Sequence, residues 1–384
     1  MNIAQHRPLS LLCSTLVAGC ALSLGTVAQA QHYVETDLVS DLPGAAVQDE
    51  HLANPWGLSR SSTSPWWVAN NHTGTSTLYN GSGVPQPPPP GGPLIVTITP
   101  AEGSTEGGVP TGTVFNGTSD FALPSGGPAL FLFVAEDGTI SGWNGGTATT
   151  VVSTKEGSNY KGAAIAGFGG HHFLYVANFA KKRIDVFDTK FNLVRLDDDD
   201  DKDDKGDRDH HSNHAFEDHR IPHSFSPFNI QNIGDSLYVA YAKLDPATGD
   251  EVAGAGLGFV DVYSPRGRLL RRLEHGDWLN APWGLVLASG DFGTFSHHIL
   301  VGQFGSGQIA AYNATTGRFV GLFRKPGGNE PLMIDGLWAL SFGNGANAGP
   351  ATTLFFTAGI EDEEHGLFGS LTPVPAERVL GNGQ

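Results

Sequence analysis

The sequence predicts an all-β protein, and three observations carry this prediction. A short apolar run, typified by residues 173–178 (FLYVAN), recurs six times, and each copy is too short for a helix and rich in strand-forming residues. Each run is followed by a polar or glycine turn and a second short strand, such as 184–188. No apolar stripe at helical spacing separates the copies. Such repetition is typical of a six-bladed β-propeller.

Four strands can be assigned to each blade in chain order. The innermost strand is a glycine-containing or small-residue apolar segment, because only small side chains let backbones approach closely at a propeller axis. We predict inner strands at 54–58, 120–123, 161–165, 227–230, 280–285 and 335–340. The two middle strands are the hairpins 66–70/77–80, 131–136/140–144, 173–178/184–188, 237–241/259–263, 299–303/309–313 and 354–358/367–370.

Only five outer strands follow their hairpins, at 94–97, 150–153, 193–196, 269–273 and 319–322. The sixth is predicted to come from the mature N-terminus, residues 33–38, which would pair with the last blade and close the ring. Closure removes the unpaired edges that an open sheet would expose. The 52 Gly, 24 Pro and 16% charged residues among 384 agree with a turn-dense β protein, and we predict one propeller domain over 31–384.

The first thirty residues resemble a signal peptide. Arg7 precedes an apolar stretch, and Ala28-Gln29-Ala30 is a small-x-small cleavage pattern before Gln31. The sequence therefore predicts a secreted or periplasmic protein. The alternative is a lipid anchor, because residues 17–20 (VAGC) resemble a lipobox with Cys20 as the modified residue.

Composition excludes several classes of function. Both cysteines, Cys13 and Cys20, lie in the leader, so the mature chain would have no disulfide or thiol chemistry. The formal net charge of −17 argues against a nucleic-acid partner, because phosphate binding needs a basic face. No stretch after the leader is long and apolar enough to predict a transmembrane span. Gly-x-Ser-x-Gly, His-Glu-x-x-His and phosphate-loop motifs are missing from the sequence.

An acidic, histidine-rich insertion interrupts the repeat between the third and fourth blades, at about 197–223. Residues 197–209 contain nine Asp against three basic residues, and five histidines follow. Because like charges dominate and little is apolar, the sequence predicts a disordered surface loop. An EF-hand alignment fails, since Lys205 and Ser212 fall where oxygen ligands are needed. Weak metal adsorption and a solvated spacer both remain open.

One face of the predicted disc collects the starts of the inner strands and the ends of the second strands. Polar side chains at these points would surround the channel. Lys161 and Asp120 are also expected there. Such an oxygen-rich ring suits a polar ligand or a hard cation, although Asn and Asp also serve simply as turn residues. The predicted binding residues are Asn54, Asn71, Glu136, Asn178, Asn280, Gln303 and Asp335, and the predicted calcium ligands are Glu136, Asn178, Asn280 and Asp335.

Three tryptophans, Trp56, Trp283 and Trp338, recur at matching places in the inner strands. Large aromatic side chains between tightly spaced blades usually form core, but they could also line the channel and stack on a ligand. Both interpretations stay open at the level of sequence.

The repeated NPWGL and NAPWGL segments, FNIQNIG at 228–234, VAGAG at 252–256 with GFVDV at 258–262, and IDGLW at 334–338 resemble a bacterial family of exported propellers of uncharacterised function. The resemblance covers nearly all of the mature chain. Members often end in a Pro-Glu-Pro sorting signal, whereas here residues 372–377 (TPVPAE) are only a remnant, which implies release.

The predicted architecture is more distantly similar to NHL-repeat and gluconolactonase-type propellers. In the latter, a calcium ion held by Glu, Asn and Asp polarises a lactone carbonyl. This resemblance implies analogous positions for Glu136, Asn178, Asn280 and Asp335.

The leading hypothesis is an exported propeller that binds a small polar ligand or a protein partner through the polar face, without chemistry. The alternatives are a calcium-dependent hydrolase or lactonase that uses the same ring, and an envelope or matrix structural protein retained through the acidic insertion. The substrate and the oligomeric state are not encoded in any motif.

Overall fold

The computed structural model describes residues 1, 32–88, 90–104, 108–154, 157–196 and 215–375, which form six antiparallel blades. After β1 (Tyr33–Ser40) and β2 (Val47–Gln48), blade 1 has β3 (Pro55–Ser59), β4 (Trp66–Asn70), β5 (Thr75–Tyr79) and β6 (Ile95–Thr97). Blade 2 has β7 (Pro110–Phe115), β8 (Phe131–Ala135), β9 (Thr139–Trp143) and β10 (Thr149–Ser153). Blade 3 has β11 (Tyr160–Phe168), β12 (His171–Asn178), β13 (Arg183–Phe187) and β14 (Leu193–Val194).

Blade 4 has β15 (Phe225–Ile233), β16 (Ser236–Leu244), the short β17 (Glu251–Val252), β18 (Gly258–Tyr263) and β19 (Leu269–Arg272). Blade 5 has β20 (Pro282–Leu287), β21 (His298–Gln303), β22 (Ile309–Asn313) and β23 (Phe319–Leu322). Blade 6 has β24 (Leu337–Phe342), β25 (Leu354–Ile360) and β26 (His365–Pro373). The first strand of each blade contacts that of the next, and β24 contacts β3, so the predicted six-bladed propeller is confirmed.

The ring closes through the N-terminal strand, as the sequence predicts. β1 pairs antiparallel with β26 from Tyr33↔Pro373 to Ser40↔Leu367 and so supplies the outer strand of blade 6. Tyr33 is fully buried, and its ring stacks on Phe323 with the centroids 3.8 Å apart. Closure therefore rests on core packing as well as on the backbone ladder.

Every inner strand contains a shift of pairing register close to its start. The shifts fall at Pro55/Leu58, Pro110/Thr113, Tyr160/Gly162, Pro227/Asn229, Pro282/Leu285 and Leu337/Leu340. A β-bulge of this kind leaves a residue out of the ladder and redirects its side chain. The residues at these six bulges include Trp56, Thr111, Lys161, Phe228, Trp283 and Trp338, which we call the hub.

Glycine permits the inner strands to come together at the hub. A Cβ atom on Gly57 would lie 2.5 Å from the carbonyl oxygen of Thr111, and one on Gly112 would lie 2.8 Å from the Cα of Gly162. Both contacts are with backbone, which cannot move away without opening the ring. The close approach predicted for inner strands is therefore real at blades 1, 2 and 3.

The predicted inner strand of blade 2, residues 120–123, is wrong. The inner strand is β7, and residues 120–123 belong to the β7–β8 connection at the opposite mouth of the channel. Phe121 has a φ of 61°, in the left-handed region that an extended strand does not use. Asp120 consequently does not join the polar ring; its Oδ2 lies 2.7 Å from Nδ1 of His172.

Two predicted segments fall wholly or partly outside the described residues. The signal peptide and Cys20 lie within 2–31, and most of the acidic insertion lies within 197–214. The end of the insertion is described and differs from a disordered loop. Phe216 is buried with its ring 5.4 Å from that of Tyr263, and Oδ2 of Asp218 lies 2.6 Å from Nη2 of Arg272.

The described part of the chain contains one helical segment, the 3-10 turn Gly293–Phe295, and no helix that could cross a membrane. Most buried apolar side chains lie between neighbouring blades, and one further cluster lies on the axis around Trp56, Phe228, Trp283 and Trp338.

We expect Tyr33→Ala to destabilise the fold by about 3–5 kcal/mol, because it removes a fully buried ring from the closure of blade 6. Tyr33→Phe keeps the ring and removes the hydroxyl, which donates to the Phe292 carbonyl (3.4 Å), so it should cost no more than about 1.5 kcal/mol. Urea unfolding of both variants measures the difference. Equal losses would show that ring packing does not hold the closure.

Candidate functional site

A cluster of charged and amide side chains lies at the mouth of the channel where the inner strands begin. Nζ of Lys161 lies 2.6 Å from Oε1 of Glu136 and 3.7 Å from Oε2 of Glu251. Nδ2 of Asn71 donates to Oε2 of Glu136 at 2.9 Å. Nδ2 of Asn54 donates to Oε2 of Glu363 at 2.8 Å. We call this cluster the acidic mouth and define it as Asn54, Asn71, Glu136, Lys161, Glu251 and Glu363.

Lys161 occupies the hub bulge of blade 3, at the position where blades 1, 5 and 6 carry tryptophan and blade 4 carries phenylalanine. Its side chain is only 3% exposed. Nζ lies 4.7 Å from the centroid of the Trp56 ring and 5.8 Å from that of Phe179. An ammonium group is thus held between aromatic faces and carboxylates, the two kinds of group that stabilise a desolvated cation.

Lys161 and Glu136, the central pair of the acidic mouth, are both held in their charged forms. Burial alone would lower the pKa of Lys161, but Glu136 and Glu251 outweigh it and raise that pKa above its ordinary value. Burial would likewise raise the pKa of Glu136, yet Lys161 and the Asn71 hydrogen bond bring it below its ordinary value. Lys161 and Glu136 therefore form a buried ion pair.

The other two carboxylates lack an equivalent partner. Burial, reinforced by Glu136 and Asp250, raises the pKa of Glu251 despite Lys161. Burial, reinforced by Glu251 and Glu136, raises the pKa of Glu363 to about 7. Oε2 of Glu251 is buried and accepts no hydrogen bond from any described residue. The acidic mouth thus has three carboxyl groups around one ammonium group, and burial disfavours the charged form of the two in excess.

Glu363 is presented by a strained turn between β25 and β26. Glu361, Asp362 and Glu363 have φ values of 55°, 56° and 69°, so three successive non-glycine residues are left-handed. Each such residue costs about 1–3 kcal/mol, and strain of this kind concentrates at functional sites. Oδ2 of Asp335 accepts a hydrogen bond from the Glu361 N–H at 2.8 Å, and this contact holds the turn.

The three repeated tryptophans are buried core that also positions the acidic mouth. Trp56 and Trp338 stack with their centroids 3.5 Å apart. Nε1 of Trp338 donates to Oδ1 of Asn54, and Nε1 of Trp283 donates to the Lys161 carbonyl, each at 3.1 Å. With Phe228 they occupy the axis beneath Lys161 and do not form a ligand-stacking wall.

The structure brings together three of the seven predicted binding residues, Asn54, Asn71 and Glu136. The other four hold local structure. Nδ2 of Asn178 donates to Asp185 within blade 3, at 2.7 Å. Oδ1 of Asn280 accepts from the Gly254 N–H, and Oε1 of Gln303 accepts from the Asn280 N–H.

The four predicted calcium ligands do not fit a shared calcium site. Glu136 is paired with Lys161, Asn178 with Asp185, Asn280 with Gly254, and Asp335 with Glu361. Among the residues that the structure describes, no group of three or more His, Cys, Asp or Glu could hold a metal ion. Each of the four side chains is thus bonded to a different neighbour.

Sequence reasoning placed Lys161 at this mouth but did not make it a site residue, and it missed Glu251 and Glu363. Glu251 belongs to β17, an excursion between the middle strands of blade 4 that the propeller repeat does not predict. Glu363 lies in the run 361–364 (EDEE), and four consecutive acids at a hairpin turn were the available signal.

The opposite mouth of the channel is a funnel of about 730 Å³, formed where the inner strands end. The cavity and the cluster of charges therefore lie at different mouths. We favour the acidic mouth, because Arg60 and His172 of the funnel already have partners. Nε of Arg60 donates to the Phe342 carbonyl at 2.6 Å, and His172, on the funnel wall, contacts Asp120.

The fold and this cluster define a six-bladed β-propeller with a buried lysine and an excess of acid at one end of its channel. No protein-family model matches the chain. It is 31% identical over 342 residues to uncharacterized protein R648 of Acanthamoeba polyphaga mimivirus, covering 85% of this chain and 76% of that protein. It is 32% identical to uncharacterized protein L690 of the same virus, covering 85% and 82%. The chain belongs to the family that these proteins represent.

Similarity to solved structures extends to the fold alone. A streptogramin B lyase structure shares 12% identity at a TM-score of 0.49, over 89% of this chain and 98% of that one. The BBS1N chain of a complex with ARL6DN shares 12% identity at a TM-score of 0.45, over 90% and 99%. Likeness at this level carries no argument about activity.

We expect Lys161→Met to destabilise the protein by about 3–5 kcal/mol, because it leaves Glu136 and Glu251 buried without their cation. The double variant Lys161→Met/Glu136→Gln should lose clearly less than the sum of the two single variants, since the pair is removed together. Urea unfolding at pH 7 gives all three values. Strict additivity would contradict the coupling.

Glu363 should make stability depend on pH. Its pKa in the folded protein is about 7, against an ordinary 4.5, so the folded state holds an extra proton between these values. The contribution of Glu363 is then fully present below about pH 4.5 and is lost as the pH rises through about 7. We expect Glu363→Gln to flatten this part of the profile and to be more stable than the parent at pH 8. Parallel unfolding profiles from pH 5 to 8 would refute the raised pKa.

Proposed function

We propose that this chain is a ligand-binding propeller whose acidic mouth takes a primary ammonium group between Glu251 and Glu363. The observation that carries the proposal is the unequal charge of the cluster, in which three carboxyl groups share one ammonium group. The ligand would be a small amine or the basic side chain of a protein partner, and both present the same group. No reaction is assigned to the site.

Lys161 shows the chemistry that the site favours. Its ammonium group already lies against Glu136 and the Trp56 ring, and its own charge is stabilised there. The raised pKa values of Glu251 and Glu363 reflect burial first and then repulsion from carboxylates, from Glu136 on Glu251 and from Glu251 on Glu363, and a second cation between Glu251 and Glu363 would relieve this repulsion. Oε2 of Glu251 lies 3.7 Å from Nζ of Lys161 but accepts no hydrogen bond from any described residue, so it can accept one from an N–H donor.

The rim of the acidic mouth would attract such a ligand from a distance. Glu361, Asp362 and Glu364 are exposed on the turn that carries Glu363, and the whole chain has a net charge of −17. A surface of one sign raises the local concentration of counter-ions and speeds their association, an effect that salt weakens.

Export to the periplasm or exterior stays a prediction, because the leader lies within the undescribed residues 2–31. The calcium-dependent hydrolase is not carried forward, since each predicted ligand is bonded to a different neighbour. The matrix-protein alternative depends on residues 197–214, which are also undescribed.

Isothermal titration with cadaverine tests the proposal, and 1,5-pentanediol is the uncharged control of the same length. We expect binding of cadaverine alone, with affinity that rises from pH 6 to pH 8 as Glu363 loses its proton. Glu363→Gln should weaken the affinity for cadaverine by about tenfold or more, which is the effect of losing one hydrogen bond to a charged group.

Asp235→Asn is the matched control variant, because it removes one negative charge from the wall of the funnel. It should leave the affinity for cadaverine within about twofold, since a distant solvated charge is largely screened. An equal loss in both variants, or equal binding of amine and diol, would overturn the proposal.

A further inference from the structure

A second cavity, away from the channel, lies between blades 2 and 3. Its volume is about 370 Å³, within the range of about 300–1,000 Å³ found for small-molecule sites. We call it the interblade cleft and define it by its wall residues Val152, Tyr160, Lys181, Arg183, Phe187, Phe191 and Leu193. The cleft exists because the outer strand of blade 3, β14, has only two residues, whereas β10 of blade 2 has five.

One side of the interblade cleft is apolar. Phe187 is buried at its base, Val152 and Phe191 are half-buried, and Leu193 is 55% exposed although it is a large aliphatic residue. Phe191 has a φ of 63°, which is a genuine outlier for a bulky side chain. This backbone conformation places Phe191 on the cleft wall, where its ring lies 5.7 Å from that of Phe121.

The rim of the cleft is basic in an otherwise acidic protein. Lys181 and Lys182 lie on the turn between β12 and β13, Arg183 is the first residue of β13, and all three are exposed. Nζ of Lys182 donates to the His223 carbonyl, so Lys181 and Arg183 face the cleft. Among the described residues, Lys181 has no carboxylate within ion-pair distance.

The polar floor of the cleft is already satisfied. Asp185 is 4% exposed and accepts hydrogen bonds from Nε of Arg183 (2.6 Å), Nδ2 of Asn178 (2.7 Å) and the Tyr160 hydroxyl (3.2 Å). Its charge is compensated by Arg183, which leaves the charge of Lys181 as the net charge of the described residues that line the cleft. The floor therefore offers little to a ligand, and recognition must come from the apolar wall and the Lys181 rim.

We propose that the interblade cleft binds an amphipathic organic anion, with a flat apolar body against Val152, Phe191 and Leu193 and a carboxylate or sulfonate head at Lys181. Burial of the body supplies most of the affinity, and the ammonium group selects the charge of the head. The site is separate from the acidic mouth and does not depend on the function proposed for it.

Two fluorescent probes that differ by one sulfonate group test the proposal on the full chain. They are 8-anilino-1-naphthalenesulfonate, which is anionic, and N-phenyl-1-naphthylamine, which is neutral. We expect the anionic probe to bind with a stoichiometry of one and more tightly than the neutral probe. Lys181→Gln should lower the affinity for the anionic probe by about threefold or more, as expected for the loss of an exposed charge pair. The affinity for the neutral probe should stay unchanged.

Leu193→Asp should weaken binding of the anionic probe by about tenfold or more, because it removes apolar area from the wall that contacts the body and adds a negative charge there. Leu193 is exposed, so this change should not prevent folding, and circular dichroism checks it. Lys325→Gln removes the same charge from an exposed loop outside the cleft and should change the affinity for neither probe. If Leu193→Asp leaves the anionic probe unaffected, or if Lys181→Gln and Lys325→Gln act alike, the proposal is wrong.

Discussion

The structure depends on how six inner strands meet on one axis. Each strand has a bulge near its start, and the bulges deliver Trp56, Thr111, Lys161, Phe228, Trp283 and Trp338 to the hub. Large rings fill most of these positions, and one position carries an ammonium group instead. Because that cation is buried, it needs carboxylates beside it, and the arrangement of the acidic mouth follows from this need.

The acidic mouth combines features that are unfavourable for stability. A buried ion pair, two carboxyl groups with raised pKa values and a turn of three left-handed acidic residues all occur at one point. Features of this kind persist only where the surrounding structure enforces them, and they concentrate where proteins bind or react. The opposite funnel is a cavity of about 730 Å³, but its Arg60 and His172 are engaged by neighbouring groups of the protein.

Much of the fold and part of the site could be predicted. Strand alternation and turn residues predicted six blades, and closure by the N-terminal strand was predicted because one outer strand was missing. Blade 2 was misassigned because its inner strand, PTGTVF, is poor in large apolar residues, and the more apolar segment after it forms a connection. Asn54, Asn71 and Glu136 were found because residues at strand ends share a face in any propeller. Glu251 and Glu363 belong to irregular excursions, which have no repeat to reveal them.

By itself, the sequence determined the number of blades, the order of strands within them and the face on which strand ends collect, because these follow from local β-propensity and repetition. Only the tertiary structure decided which polar side chains meet. Whether Asn178 joins the axial ring or bonds to Asp185 depends on side-chain packing in three dimensions. The interblade cleft depends on the lengths of two outer strands, and these lengths are not evident from the sequence. Contacts between distant residues depend on the directions in which bulges and turns orient the side chains. The local sequence does not encode these directions.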